Sequence, residues 1–486
     1  IMRFNFSEVS SNVNEVERSF KLHCCSKLRD FVFKYEDLLG KEIWDVLDEE
    51  IQQDPGAFLS AINSYASRKG NLPIYLLIDE YDNFTNTILS TYGTEYYQKA
   101  THGEGFVRGF FNVIKAATTG TGSALQRMFI TGVSPVTMDD VTSGFNIGTN
   151  ITTDPWFNDL VGFSEAELRE MLTYYKEQGV LMQTVDETIV MMKPNYDNYC
   201  FSEEKLAQCM FNSDMALYFM KSFVLHHVKP KEIVDPNIRT DFNKLAYLIR
   251  LDHGLGENFS VIKEIAEQGE ITTDIATHFS ALEMTDVRNF KSLLFYFGLL
   301  SIKGVDMVGR PILHVPNLVV REQLFSFLIQ GYIKHDIFKI DMNRMTMLFE
   351  NMAFRGDWKP LFNFIAEAIR EQSRIREYIE GEAHIKGFLL AYLGMYRYYQ
   401  LYPEYELNKG FADFLFKPSP SVPVMPPLTY LLEVKYAKAG ASEKEIRALA
   451  DEAREQLLRY SQDELVAEAK AKGGLKLITI VWCSWE

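Results

Sequence analysis

Two short apolar runs near the carboxyl end constrain this chain more than any other part of it. They are Phe411-Ala412-Asp413-Phe414-Leu415-Phe416 and Tyr430-Leu431-Leu432-Glu433-Val434-Lys435-Tyr436. Aliphatic and aromatic residues dominate both, so both read as buried strands. Each carries charge where a core strand has none: Asp413 in the first, Glu433 and Lys435 in the second. Successive side chains of a strand alternate between its faces, so Glu433 and Lys435, two apart, project from the same one. If the strands pair, Asp413 joins them, and two carboxylates and an ammonium converge. Carboxylates that close repel unless a cation lies between them, and Mg²⁺ prefers such hard oxygen ligands. A lysine beside the metal can orient a water and help deprotonate it. This is the working set of a metal-dependent phosphodiesterase; the bland alternative is an edge strand with charges on a solvated face.

The pattern resembles the PD-(D/E)xK nuclease superfamily, with Asp413 as its first acid and Glu433-Val434-Lys435 as its E-x-K element. Glu404-Tyr405-Glu406-Leu407-Asn408-Lys409-Gly410 leads into Asp413 as the superfamily's strand and turn often does, which makes Glu404 a secondary candidate. Gln456 and Tyr460 lie on a following helix at the i, i+4 spacing of a Q-x-x-x-Y element found in some members. Glu382-Ala383-His384-Ile385-Lys386-Gly387-Phe388 opens an apolar helix expected to reach Tyr399. The resemblance implies one more acid near the metal on such a helix, and Glu382 is the candidate, with His384 close by. It also implies Mg as cofactor, DNA as substrate and a restriction-endonuclease-like α/β domain. Pro418 to Pro427 reads as a loop between the two charged strands, and Leu475 to Trp482 as a last strand completing a small mixed sheet.

A chain of 486 residues is too long for one ordinary core, so two to four domains are expected. Its hydrophobic fraction of 47% and charged fraction of 24% are those of a soluble globular protein. No apolar run approaches the length of a membrane span, and Ile1 to Phe6 reads as a strand rather than a signal peptide. Five cysteines, with Cys24 and Cys25 adjacent, show neither metal-ligand spacing nor a disulfide framework. A reducing cytoplasm, as in a bacterial cell, is the expected setting, with no membrane partner. The net charge of −16 argues against nonspecific nucleic-acid binding by the whole surface and leaves room for a local basic groove.

The amino-terminal third alternates strands and helices as in a parallel α/β sheet. Met2 to Phe6 reads as a strand, Asn14 to Leu39 as one long helical region, and Asp54-Pro55 as the cap and first turn of another helix. Leu72 to Asp82 is an apolar strand that ends in Asp79-Glu80. It resembles the Walker B strand of P-loop ATPases, which implies that Asp79 holds the Mg²⁺ of bound ATP and Glu80 polarises the attacking water. Arg127 to Pro135 is a second such strand, and Thr131 or Ser134 at its end resembles the polar sensor of AAA-type ATPases. The sequence contains no G-x-x-x-x-G-K-[ST], since Gly120-Thr121-Gly122-Ser123 lacks the lysine. In the P-loop fold the phosphate cradle would lie before Ile1. The chain therefore reads as one whose start has been lost, or as a degenerate ATPase, and ATP is expected as a ligand only if the full protein carries that loop.

Taken in order, Leu77 to Asp82, Phe129 to Ser134, Ser143 to Asn146, Gly162 to Glu167, Asn195 to Tyr199 and the terminal Asp413, Glu433 and Lys435 resemble a family of bacterial AAA-ATPase-like proteins with a carboxy-terminal PD-(D/E)xK nuclease domain. The expected architecture is multidomain α/β. Residues 1–163 form a P-loop ATPase-like parallel sheet without the P-loop, 164–335 a helical lid and winged-helix-like region, and 336–486 the nuclease-like domain. Ser164 and Glu167 predict a capping box that starts the lid. Phe290 to Leu300, followed by two strands to Pro316, predicts the end of a winged helix acting as a spacer. A homo-oligomer through the ATPase-like domain is the expected assembly. The rival reading is a noncatalytic interaction protein built from the same folds.

Overall fold

The computed structural model describes residues 1–70, 72–119, 122–141, 148–226, 230, 257–334, 340–371, 382–394, 396, 398–408, 410–419, 422, 424–438 and 440–483. These fall into two compact units. The first takes the described residues of 1–152 and 274–298, the second those of 153–273 and 299–486. Ser143 to Asn146, quoted above, lies outside the described residues.

The first unit is built on a parallel sheet of order β1-β2-β3, with β1 at Met2–Asn5, β2 at Ile74–Asp79 and β3 at Leu125–Ile130. Parallel neighbours need a crossover between them. Here α1 (Val16–Lys34) and α2 (Pro55–Arg68) separate β1 from β2, and α3 (Phe106–Thr119) separates β2 from β3. Asp54 caps α2 by accepting the Ala57 N–H at 2.7 Å, and Pro55 opens the helix. The region read as one helix from Asn14 to Leu39 is interrupted. The backbone of Tyr35 leaves the helical region at φ −113°, and a single turn, Glu36–Leu39, follows before Gly40 turns the chain at φ +80°.

One face of this sheet is packed with rings. Phe4 meets Phe110 at 5.6 Å, and Phe20 meets Phe6, Phe106 and Phe110 at 5.3, 5.2 and 5.5 Å. Contacts of this kind add orientation-specific attraction to the area that the rings bury. The other face is partly exposed among the described residues. Arg3, Leu77 and Phe129 follow one another in register on it, and Tyr75 at 49% and Phe129 at 38% are exposed. Parallel sheets are ordinarily covered on both faces.

The second unit begins with α4 (Glu165–Glu177), α5 (Val185–Tyr196) and α6 (Ser213–His226). These share a core that includes Leu168, Leu172, Ile189, Met192, Phe219 and Phe223. Capping boxes start α4 at Ser164 and Glu167, and α5 at Thr184 and Glu187. Tyr196 packs its ring on Phe219 at 5.8 Å, a core role for the turn-cluster tyrosine. A small antiparallel sheet of order β4-β6-β5 follows, with β4 at Glu270–Thr272, β5 at Ser301–Val305 and β6 at Pro311–His314. The helix read at Phe290 to Leu300 runs Val287–Tyr296 and belongs to the first unit, whereas this sheet belongs to the second.

The carboxy-terminal sheet has the order β10-β9-β8-β7, with β7 at Tyr399–Leu407, β8 at Gly410–Pro418, β9 at Thr429–Ala437 and β10 at Leu475–Cys483. β7, β8 and β9 pair antiparallel, and β10 joins β9 in parallel after the crossover helix α8 (Glu443–Tyr460), preceded in the chain by α7 (Glu382–Gly394). The apolar helix expected to reach Tyr399 ends at Gly394. Tyr399 instead opens β7, because its ring makes edge contacts with Phe416 and Tyr430, both at 5.8 Å, which require a cross-strand position. No helix among the described residues is long and apolar enough to cross a membrane.

Phe20 lies at the centre of the ring cluster and is fully buried. Phe20→Ala is expected to cost about 3–5 kcal/mol, read as a lower urea midpoint for the unfolding transition of the first unit.

Candidate active site where β8 and β9 part

The β8–β9 ladder pairs Phe416 with Tyr430, Leu415 with Leu431 and Phe414 with Leu432, and there it ends. Meanwhile β8 goes on pairing with β7 as far as Gly410, and β9 with β10 as far as Ala437. The next residues of the parting strands are Asp413 and Glu433, and their side chains replace the missing backbone rungs. Asp413 Oδ2 accepts the Val434 N–H at 2.6 Å, and Glu433 Oε2 accepts the Asp413 N–H at 3.4 Å. Both residues are buried, at 4% and 3% exposure. Lys435 Nζ donates to Glu433 Oε1 at 3.2 Å and reaches Glu452 Oε1 of α8 at 3.7 Å. The three residues singled out in the two charged strands are thus brought together.

A second lysine completes the cluster. Lys386 on α7 forms an ion pair with Asp413 Oδ1, and its ammonium lies 2.9 Å from Glu382 Oε1 and 3.2 Å from Glu404 Oε1. The candidates Glu382 and Glu404 are therefore both at the site. Glu404 falls between the pairs Pro403–Phe414 and Tyr405–Ala412, opposite Asp413, with its backbone at φ +44°. A non-glycine residue held there stores strain and persists only where its surroundings fix it. His384 lies on α7, and its side chain is outside the described residues. Gln456 follows Glu452 by one turn of α8, and its Oε1 is buried without a hydrogen-bond partner among the described residues. Tyr460 sits in the apolar cluster with Leu407, Leu415 and Leu457. It needs glycine at 410, where a Cβ would come within 2.6 Å of its ring.

Burial dominates the electrostatics. It pushes the Asp413 carboxyl above the ordinary aspartate range, against the pull of Lys386 and the Val434 N–H. Burial, then the charge of Asp413, pushes Glu433 up to about 7, with Lys435 pulling the other way. Burial disfavours the charge on Lys386, yet Asp413, Glu382 and Glu404 hold its pKa above that of an ordinary lysine. Lys435 is likewise raised, by Glu433 against its burial.

Among the described residues no group of three or more His, Cys, Asp or Glu side chains is arranged, as it stands, to hold a metal ion. Mg²⁺ usually takes one or two carboxylates and completes its shell with water and phosphate oxygens. Asp413 and Glu433 provide two hard oxygen donors at one place. The ammonium of Lys386 shows that a cation is accommodated beside Asp413. On the chemistry of this donor set, the residues fit a hard divalent cation.

In the first unit Asp79 and Thr131 also meet, because parallel pairing aligns the carboxyl ends of β2 and β3. Thr131 Oγ1 donates to Asp79 Oδ1 at 2.6 Å. Glu80 stands at φ +50° and accepts from Asn83 Nδ2 at 2.6 Å. Ser134 is engaged through its backbone: its N–H donates to Asp82 Oδ2 at 3.0 Å, and its carbonyl accepts from the Tyr81 hydroxyl. Asp82, fully buried, also accepts the Val133 N–H at 3.0 Å and Asn86 Nδ2 at 2.8 Å. It ties the turn after β2 to the turn after β3. Between them Gly132 passes so close to Tyr81 that a Cβ would lie 2.1 Å from its ring. Sequence reasoning missed Asp82 and Lys386. The Asp82–Asn86 and Glu382–Lys386 spacings were the available signals.

Residues 1–142 match the family described as predicted AAA-ATPase, and residues 380–486 match the PD-(D/E)XK nuclease superfamily. No curated protein and no solved structure matches the chain. The chain thus joins an AAA-ATPase-like segment to a PD-(D/E)XK segment. The mixed sheet of the second segment fits a restriction-endonuclease-like fold.

Glu433 keeps its proton to about pH 7 in the folded chain, against 4.5 for an ordinary glutamate. The folded state therefore binds more protons across that window, and stability falls as pH rises through it. Raised Asp413 acts in the same sense. In metal-free buffer, Glu433→Gln is expected to flatten the melting temperature between pH 4.5 and about 7 and to place it above wild type on the alkaline side, as read by thermal scanning across that range.

Proposed function

We propose that the carboxy-terminal segment is a divalent-metal-dependent nuclease acting on DNA phosphodiesters, coupled to an ATPase-like amino-terminal module. The observation that carries this reading is the meeting of buried Asp413 and Glu433 where β8 and β9 part, with Lys435 on the same face. The surrounding charge supports it. Five carboxylates, those of Asp413, Glu433, Glu382, Glu404 and Glu452, contact two ammonium groups, Lys386 and Lys435. That imbalance favours uptake of a cation.

Asp413 and Glu433 would hold the Mg²⁺, with Glu382 and Glu404 as outer acids and Gln456 and His384 as secondary groups. When bound, the cation would supply Lewis-acid stabilisation of charge on the phosphorus oxygens. Lys435, which donates to Glu433 Oε1, would orient a water and stabilise hydroxide character as its oxygen attacks phosphorus, the water's proton passing to solvent and the leaving oxygen taking up a proton from solvent as its P–O bond opens.

In the first segment Asp79 would hold the Mg²⁺ of ATP through water, Glu80 would polarise the attacking water, and Thr131 or Ser134 would sense the γ-phosphate. The contact of Thr131 with Asp79 supports this assignment. We further read α4 to α6 as a helical lid, the β4-β6-β5 region as a winged-helix-like spacer, the ATPase-like part as the oligomerising one, and the setting as cytoplasmic.

With Mg²⁺ or Mn²⁺, the chain is expected to cleave plasmid or single-stranded DNA, and a chelator to stop it. Asp413→Ala and Lys435→Ala should each lower the rate by about 10² or more. Equal cleavage by wild type and both variants would end the nuclease reading. The 486-residue chain is expected to show no saturable binding of a fluorescent ATP analogue in the micromolar range. Saturable binding that Asp79→Asn abolishes would mean that Asp79 uses another phosphate cradle.

A further inference from the structure

Lys386 is the cation already seated at the acidic site. Its side chain is 19% exposed and its ammonium meets Asp413, Glu382 and Glu404, acids from β8, α7 and β7. An ammonium has three donors, so each can face one of these carboxylates. We propose that Lys386 is a resident counter-cation that a divalent metal must displace from Asp413. It is a positioning residue that holds the acids in register without metal and sets the threshold for metal binding. This inference rests on the reading of Asp413 as a metal ligand.

The geometry separates the two oxygens of Asp413. Oδ2 accepts the Val434 N–H, a backbone donor that cannot withdraw without moving β9. Oδ1 faces Lys386, a flexible side chain that has Glu382 and Glu404 to fall back on. Oδ1 is therefore the oxygen that can be surrendered. Two cations at contact distance from one carboxylate oxygen repel, so metal and ammonium compete for it. Lys435 is held differently, between Glu433 Oε1 and Glu452. The two lysines thus meet different acids, Lys386 those of Asp413, Glu382 and Glu404 and Lys435 those of Glu433 and Glu452.

The test is calorimetric titration of Mn²⁺ into the full chain, comparing wild type, Lys386→Met and Asp413→Asn. Lys386→Met is expected to bind Mn²⁺ roughly tenfold more tightly than wild type, as removing a competing charge should. Its melting temperature without metal should be lower, and its rise on adding Mn²⁺ larger. Binding by wild type that Lys386→Met merely equals, or falls below, overturns the inference and leaves the nuclease reading standing. No binding by wild type, or binding unchanged in Asp413→Asn, overturns both. If Lys386→Met does not fold, lysine acylation of wild type mapped by mass spectrometry decides. Reactivity at Lys386 should rise on adding Mg²⁺, and unchanged reactivity overturns the proposal.

Discussion

One backbone hydrogen bond, from the Val434 N–H to Asp413 Oδ2 at 2.6 Å, fixes the chemistry of the carboxy-terminal sheet. It exists because β8 and β9 separate after Phe414 and Leu432 while each stays paired to its other neighbour. A ladder that stops inside a sheet leaves buried N–H groups that must find acceptors. Carboxylates provide them, and so become anchored in the interior. Anchoring removes them from water, which makes them costly to ionise and hungry for cations. Lys386 and Lys435 answer part of that demand.

Asp82 in the first unit shows why burial alone does not make a site. It too is a fully buried carboxylate that accepts backbone N–H groups, here those of Val133 and Ser134, with the Asn86 amide. The two backbone donors belong to the turn after β3 and cannot be exchanged for a ligand without undoing it, and the Asn86 amide comes from the helix that follows β2. Asp413 pairs one backbone donor with one side-chain ammonium. The first contact holds the acid in place, and the second can be traded for another cation.

Much of this was legible because strands alternate strictly. A spacing of two residues put Glu433 and Lys435 on one face, and the apolar residues around Asp413 placed it on a neighbouring buried strand. The same logic aligned Asp79 with Thr131 at the ends of parallel strands, where they hydrogen-bond at 2.6 Å. What stayed hidden depended on contacts between distant segments. Lys386, four residues after Glu382 on a largely apolar helix, reads in sequence as a solvated lysine. Only the packing of α7 beside β7 and β8 turns it toward Asp413 and Glu404. Tyr399 suits either a helix end or a strand start, and its ring contacts with Phe416 and Tyr430 decide between them. Tyr35 interrupts its helix without the proline or glycine that would have signalled a break.

The two segments position their acids for different physical reasons, at strand ends in the first and inside two parting strands in the second. In the first, parallel strands end side by side, and the Asp79 carboxylate is met there by the neutral hydroxyl of Thr131. A phosphate ligand would need positive charge from elsewhere, and the sequence offers no lysine in a G-x-x-x-x-G-K-[ST] setting. In the second, a broken antiparallel ladder gathers acids and ammonium groups from β7, β8, β9, α7 and α8 into one network. The acids and the ammonium groups that meet them there all come from this chain's own residues. In the nuclease-like segment the charge that meets the acids is therefore carried by ammonium groups, where Thr131 offers Asp79 only a neutral hydroxyl.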